Sequence, residues 1–190
     1  EVDSMALSEI VQSNEIIDEE KRESIDQYHL KIWSDLYDTL STEEANALYY
    51  SMENRKYSPD HALFEQGKEN RYLYFIDRGR LKTVYSQGGR EILLKVLGKG
   101  DIVGSETFFS NSTCTTSVIT LSHSELKLLD RGVLEKLKDE FLSLASKLEL
   151  YCLKFEKVHD LLKKRDLDRR SQKRISIQGK GMIHLLNDSR

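Results

Sequence analysis

Short strand-forming segments separated by glycine turns constrain the fold of this chain most strongly. Such segments lie at residues 72–76, 81–85, 91–97, 115–121 and 125–129. Glycines mark the turns between the first four segments, at positions 79, 88–89, 98 and 100. Because the whole stretch from 55 to 129 has this spacing, it predicts six or more short strands arranged as a β-barrel or jelly roll.

Helices are predicted on both sides of the strands, which makes the expected class α+β. Residues 5–12 and about 19–40 have helical spacing, with Trp33, Leu36, Tyr37 and Leu40 on one face. Ser41 is a suitable cap for a further helix that runs to about Asn54. We therefore expect an N-terminal helical extension at 1–41 and a barrel at 42–130.

A third region, 131–166, is predicted to contain one long helix from about Val133 to Arg165. Its apolar residues alternate in steps of four and three, which is a heptad seam: Leu137, Phe141, Leu144, Leu148, Tyr151, Phe155, Val158 and Leu162. The seam predicts a homodimer through residues 137–162, with Leu150, Leu153 and Leu161 left to contact the barrel. The alternative is that the apolar face packs only on its own barrel.

Composition limits the classes of function. The 190-residue chain has a net charge of −3, so it is not a nucleic-acid-binding polycation, although residues 163–180 are basic. Its two cysteines form no metal-binding spacing, which favours a reducing cytoplasm and predicts no metal site. No membrane span and no catalytic motif are visible, so an enzyme is not expected.

A candidate ligand site begins at the third of these glycine turns. Gly100-Asp101-Ile102-Val103-Gly104-Ser105-Glu106-Thr107-Phe108-Phe109, together with residues 114–118, places a small polar turn before a short apolar helix and a strand. The stretch resembles the phosphate-binding cassette of cyclic-nucleotide-binding domains, the family of the catabolite activator protein. The candidate binding residues are Gly104, Ser105, Glu106, Thr107, Cys114 and Thr115.

The resemblance implies a change in ligand chemistry. In that family an Arg pairs with the cyclic phosphate and a Glu accepts from the ribose hydroxyl, whereas Cys114 and Ser105 occupy those places here. Glu106 is one position along and reaches the ribose only if the turn is rebuilt. Each lost charged hydrogen bond costs about 1.5–3 kcal/mol, so we expect weak or absent binding of cyclic AMP and cyclic GMP. A small anionic ligand is still possible.

The last region, 167–190, resembles the start of a PilZ domain. Arg170 and Arg174 match its Arg-x-x-x-Arg motif, and residues 175–186 would form its first strand. The resemblance implies that both arginines bind cyclic di-GMP in the full-length protein, since planar guanidinium groups grip phosphate and stack on bases. Because the chain ends at Arg190, we expect the PilZ domain to be incomplete here.

Taken together, these features predict a bacterial second-messenger signalling protein, with a degenerate cyclic-nucleotide-binding-like sensor coupled to a PilZ module. One alternative is a transcription regulator of the catabolite activator type whose DNA-binding domain is absent from this chain, because no helix-turn-helix pattern is present and DNA is an unlikely partner. Another is an interaction scaffold with a ligand-free barrel.

Overall fold

The computed structural model describes residues 25–110 and 112–164. Three short helices come first: α1 (Gln27–Ile32), α2 (Ser34–Tyr37) and α3 (Thr42–Tyr50). The strands are β1 (Glu53–Tyr57), β2 (Ala62–Phe64), β3 (Tyr72–Arg78), β4 (Leu81–Gln87), β5 (Arg90–Leu97), β6 (Ile102–Val103), β7 (Ser117–Thr120) and β8 (Ser124–Asp130). Helix α4 (Ser105–Ser110) lies between β6 and β7. Helices α5 (Arg131–Glu140), α6 (Leu144–Cys152) and α7 (Val158–Lys164) follow β8.

The strands form two four-stranded sheets. The first has the order β1-β8-β3-β6 and the second the order β2-β7-β4-β5, with antiparallel pairing throughout both. This arrangement confirms the expected antiparallel, jelly-roll type of fold with accompanying helices. Each of the five predicted strand segments contains a strand. The sequence missed β1, because its residues are charged and exposed, and β2 and β6, because they have only three and two residues.

Strand β3 shows how the first sheet is buried on both faces. Tyr74 and Ile76 pack inside the barrel, whereas Leu73 and Phe75 face a separate core that includes the helices. Successive side chains of a strand point to opposite faces, so a run that is apolar at every position needs cover on both sides. The N-terminal helices, α5 and α6 provide that cover on the outer face.

The N-terminal helices are attached to the first sheet through a buried polar cluster. The predicted helix over 19–40 is interrupted at Trp33, which separates α1 from α2. The Trp33 indole donates to Asp77 on β3 at 2.8 Å, and His29 Nδ1 lies 2.9 Å from the same carboxylate. His29 Nε2 lies 3.0 Å from the Tyr37 hydroxyl, so every polar group of this cluster has a partner. The predicted helix over 5–12 lies outside the described residues.

The prediction of one continuous helix over 133–165 is wrong. The segment folds into α5, α6 and α7, with breaks at residues 141–143 and 153–157. Breaks let each short helix turn its own apolar face toward the protein, so the regular spacing of the seam does not require a straight helix. Of the described helices, none is both long enough and apolar enough to cross a membrane.

The seam residues pack within the protomer. Leu144 and Leu148 have no exposed surface and pack in the helical core beside the first sheet. By contrast, Leu150 and Leu153, which we expected to contact the barrel, are 68% and 56% exposed. The observed packing therefore supports the alternative that the apolar face covers its own barrel, and it gives no support to a homodimer through this seam.

Candidate functional site

A cavity of about 370 Å³ lies between the second sheet, the segment around α4 and the last two helices. All six predicted cassette residues line it: Gly104, Ser105, Glu106, Thr107, Cys114 and Thr115. The structure therefore brings two separated sequence segments to one site. Its volume is suitable for a small organic ligand.

Gly104 sets the geometry of the turn before α4. Its φ is +89°, and a Cβ atom there would lie 2.6 Å from the Tyr72 carbonyl oxygen and 2.8 Å from Asn70 Nδ2. Any side chain would therefore clash with fixed atoms and would also strain the backbone. The Asn70 amide donates to the buried Thr107 hydroxyl at 3.1 Å, which ties α4 to the start of β3.

Cys114, which the resemblance aligns with the phosphate-binding arginine of the cyclic-nucleotide-binding family, offers no charge to a ligand. The residue is 4% exposed. Burial raises the pKa of its thiol, and this effect outweighs the opposing hydrogen bond with Thr107. The thiol therefore stays neutral at physiological pH. Its backbone is fixed by hydrogen bonds with Lys68 and Gly67, both 2.7 Å long.

The charges around the cavity do not favour an anion. Four carboxylate residues line it, namely Asp101, Glu106, Glu149 and Glu156, against two lysines, Lys95 and Lys157. A cyclic phosphate would be buried here without a guanidinium and close to like charge, which is unfavourable. The residues present therefore do not fit the cyclic phosphate for which the family's arginine is designed. Among the described residues, no cluster of His, Cys, Asp and Glu is suited to hold a metal ion.

The helical segment closes one side of the cavity, and sequence reasoning missed this wall completely. The residues concerned are Glu149, Cys152, Leu153, Phe155, Glu156, Lys157, Val158 and Leu161. The Val158 amide, at the first residue of α7, donates to Glu106 Oε1 at 2.7 Å. We had assigned Val158 to a dimer seam, and the wall could not be found from spacing because it depends on the two breaks in the segment.

Arg131 is a second residue that the sequence did not reveal. Its Nε donates to the Phe108 carbonyl at 2.9 Å, and its Nη2 donates to the carbonyls of Thr107 and Asn70 at 2.7 and 2.8 Å. One guanidinium therefore joins α4, the turn before β3 and the start of α5. The predicted cyclic di-GMP residues, Arg170 and Arg174, lie outside the described residues.

Comparison with known proteins finds a match to the cyclic nucleotide-binding domain within this chain. Residues 54–141 match the family model of the cyclic nucleotide-binding domain. The same region is 30% identical over 88 residues to neuropathy target esterase sws of Drosophila persimilis. That alignment covers 46% of this chain but only 6% of the relative, so the resemblance is confined to the domain.

Solved structures show the same fold. The catabolite activator protein of Thermus thermophilus superimposes with a TM-score of 0.55 and 23% identity, covering 70% of this chain and 60% of that one. A regulatory subunit of a cAMP-independent protein kinase A from Trypanosoma brucei gives a TM-score of 0.61 at 21% identity, covering 79% and 53% of the two chains. Its counterpart from Trypanosoma cruzi, bound to guanosine, gives 0.53 at 21% identity, covering 78% and 52%. The chain therefore contains a cyclic-nucleotide-binding-like domain, related in fold to kinase regulatory subunits and to catabolite activator proteins.

Proposed function

We propose that the domain is a regulatory sensor whose cavity binds an uncharged, nucleoside-sized ligand in place of a cyclic nucleotide. The observation that carries this proposal is the neutral, buried Cys114 in a cavity lined by four carboxylates and two lysines. The hydroxyl groups of Ser105 and Thr115 offer hydrogen bonds to a neutral polar ligand, whereas that of Thr107 is held by Asn70 and the Gly104 carbonyl. Phe64, Phe109 and Phe155 offer apolar surface to a planar ring.

Two of the related structures support a neutral ligand. Both trypanosomal proteins are regulatory subunits of cAMP-independent kinases, and the one from Trypanosoma cruzi is bound to guanosine. The Trypanosoma brucei protein was bound to cAMP as a triple mutant, in which one substitution introduces an arginine for a threonine. That combination agrees with the physical argument that a guanidinium is needed for the cyclic phosphate and is dispensable for a nucleoside.

Calorimetric titration with guanosine, adenosine, cyclic AMP and cyclic GMP tests the proposal. We expect a nucleoside to bind and both cyclic nucleotides to show dissociation constants above about 10 µM, because two charged contacts of about 1.5–3 kcal/mol each are missing. The double variant Cys114→Arg with Ser105→Glu should gain cyclic AMP affinity. Tight binding of cyclic AMP to the unchanged protein, or no nucleoside binding at all, would reject the proposal.

The signal leaves the domain, in this proposal, through the helices that close the cavity and the basic segment that follows them. A PilZ module beginning at 167 remains our first candidate for the output, with Arg170 and Arg174 as cyclic di-GMP ligands. In the full-length protein, Arg170→Ala and Arg174→Ala should each weaken cyclic di-GMP binding by about tenfold or more, since each removes charged hydrogen bonds. Lysine at either position should restore little because the planar fork is lost. Equal binding by the wild type and both alanine variants would remove the PilZ assignment.

The second candidate output is transcription. The N-terminal domain of a transcriptional regulator from Streptomyces coelicolor gives a TM-score of 0.55 at 25% identity, covering 69% of this chain and 91% of that one. In either case the domain regulates and does not catalyse, and we assign it to the cytoplasm because its two cysteines remain unpaired. Specific binding of the full-length protein to promoter DNA, without cyclic di-GMP binding, would favour this second candidate.

A further inference from the structure

We propose that Glu106 is a latch that holds α7 closed over the cavity, so that a ligand must break the Glu106–Val158 hydrogen bond to enter. The inference rests on the proposed function only in treating the cavity as a ligand site. It goes further, because it assigns the pocket a self-inhibited closed state and assigns one carboxylate the task of maintaining it.

The contact joins the two sides of the cavity at its edge. Glu106 lies in the first turn of α4, and its Oε1 accepts from the backbone N–H of Val158 at 2.7 Å. That N–H belongs to the first residue of α7, where no intrahelical acceptor is available. The carboxylate therefore satisfies a backbone donor that would otherwise need water, and its charge strengthens the bond.

The two sides of the latch differ in how firmly they are held. Helix α4 is fixed at the carbonyls of Thr107 and Phe108 by the Arg131 guanidinium, and Phe108 is buried in the helical core. Helix α7 packs on β5 through a small cluster in which only Tyr85, Leu94 and Leu162 are buried. When the latch breaks, α7 is therefore the side that moves.

The connection before α7 depends on the same contact. Residues 153–157 separate α6 from α7, and Phe155, Glu156 and Lys157 from this connection line the cavity. Glu156 forms an ion pair with Lys164 of α7 itself and also interacts electrostatically with Lys95 on β5. The Glu106 carboxylate joins the start of α7 to α4.

The latch also indicates the chemistry of the ligand that opens it. An incoming group that donates a hydrogen bond can replace the Val158 N–H at the Glu106 carboxylate, whereas an anion would be repelled there. A ligand with free hydroxyl groups, such as the sugar of a nucleoside, meets this requirement. Binding and the release of α7 would then compete for one carboxylate, which couples the pocket to the following chain.

The two cysteines provide a direct measure of opening, because Cys114 and Cys152 are the only cysteines of the chain and both line the cavity. Both are buried, and burial raises the pKa of the Cys152 thiol to about 12. Iodoacetamide should therefore label them only when the cavity opens. Labelling rates would be measured for each thiol separately, in Cys114→Ala and Cys152→Ala backgrounds, without any ligand.

Two substitutions remove the latch from opposite sides. Glu106→Ala deletes the acceptor. Val158→Pro deletes the donor and leaves every charge in place, and proline is well tolerated at the first position of a helix. We expect each to accelerate the labelling of both thiols by about tenfold, the effect of losing one charged hydrogen bond. The double variant should be no faster than either single one, because both remove the same contact.

Glu135→Ala is the matched control, because Glu135 is an exposed glutamate on α5 that pairs with Lys138, and its loss should leave both rates unchanged. Acceleration by Glu106→Ala but not by Val158→Pro would mean that the carboxylate acts on the thiols through its charge, which overturns the latch. The latch would also be overturned if the labelling rates of the double variant rose by the product of the two single effects. The same holds if each single variant lost as much free energy of unfolding in urea as its faster labelling implies. Since no ligand is present, failure here is distinct from failure of nucleoside binding, which the calorimetry reports.

Discussion

Helices α6 and α7 follow one another in the chain, yet they pack against very different surfaces. Leu144, Leu148 and Tyr151 of α6 enter a large core shared by the N-terminal helices, α5 and the outer face of the first sheet. Leu162 of α7 joins a small cluster with Tyr85 and Leu94 on the second sheet. The comparison shows that α6 is the firmly packed part of the cavity wall and that α7 is the weakly held part.

A polar anchor strengthens the same contrast. Glu44 on α3 accepts from Lys147 Nζ at 2.6 Å and from the Ser143 hydroxyl at 2.5 Å, so α6 is tied to the N-terminal helices at its start. The same carboxylate accepts from the Ser41 backbone in a capping box. At the start of α7, by comparison, the Val158 backbone donates to Glu106.

The largest expected effect is that of Leu148→Ala. Leu148 has no exposed surface and lies within the large core, so its truncation leaves a cavity as well as losing apolar burial. We expect the free energy of unfolding to fall by about 2–5 kcal/mol. Urea unfolding followed by circular dichroism measures this value, and a loss below about 1 kcal/mol would show that α6 is not firmly packed.

The next largest effect is expected from Lys147→Met. The substitution keeps most of the aliphatic side chain but leaves the Glu44 carboxylate, whose side chain is 7% exposed, without its cation. We expect a loss of about 1.5–3 kcal/mol, the usual value for a hydrogen bond to a charged group. Lys154→Met is the control, because Lys154 is exposed on the connection after α6 and should change stability little. If the two substitutions lower the free energy of unfolding equally, the contact between Lys147 and Glu44 does not anchor α6.

Acid should weaken the anchor of α6. Burial favours the neutral form of Glu44, but hydrogen bonds from Lys147, Ser143 and the Ser41 backbone outweigh it and hold the pKa of Glu44 below its usual value of 4.5. A lowered pKa in the folded state means that the ionised carboxylate stabilises the fold above pH 4.5 and that this contribution is lost as the pH falls through the lowered value.

Asp130 adds to the same acid dependence, because the hydrogen bond from Arg71 holds its pKa below the usual value. Thermal unfolding between pH 7 and pH 3 measures the combined effect. Glu44→Gln should lower stability at neutral pH and flatten the decline at acid pH. A decline of unchanged steepness would show that Glu44 is not a source of the acid sensitivity.

The smallest effect on global stability is expected from Leu162→Ala. Because the cluster around Leu162 is small, we expect a loss of less than about 1 kcal/mol in urea, below the usual range for a leucine in a large core. Iodoacetamide labelling of Cys152 should nevertheless become faster, since α7 is loosened locally. A loss as large as that of Leu148→Ala would mean that α6 and α7 unfold as one unit and that the contrast between them is wrong.

Replacing the seam residues Leu148 and Phe155 by glutamate separates the heptad prediction from the observed packing. A dimer held together by the seam would dissociate into folded monomers. Leu148 is fully buried within the protomer, and Phe155 packs against the same core. A charge at position 148 should therefore unfold the domain, because an unpaired buried carboxylate is very costly.

The sequence by itself determined five of the eight described strands and indicated the position of the candidate site. Alternation and glycine turns are local signals, so β3, β4, β5, β7 and β8 could be placed from composition and period alone. The cassette was located through the resemblance of residues 100–109 and 114–118 to the phosphate-binding cassette of cyclic-nucleotide-binding domains, which also puts Cys114 in the place of an arginine. These features do not depend on what packs against them.

Only the tertiary structure decided the path of residues 131–164 and the wall that they form. Apolar residues spaced alternately three and four positions apart indicate which side chains must be buried. They do not indicate whether a partner or the same chain buries them. The breaks after α5 and α6 allow Leu144, Leu148 and Leu162 to be covered within the protomer, by two different surfaces. The contact between Glu106 and Val158 spans 52 positions, and no local pattern records a pairing across that separation.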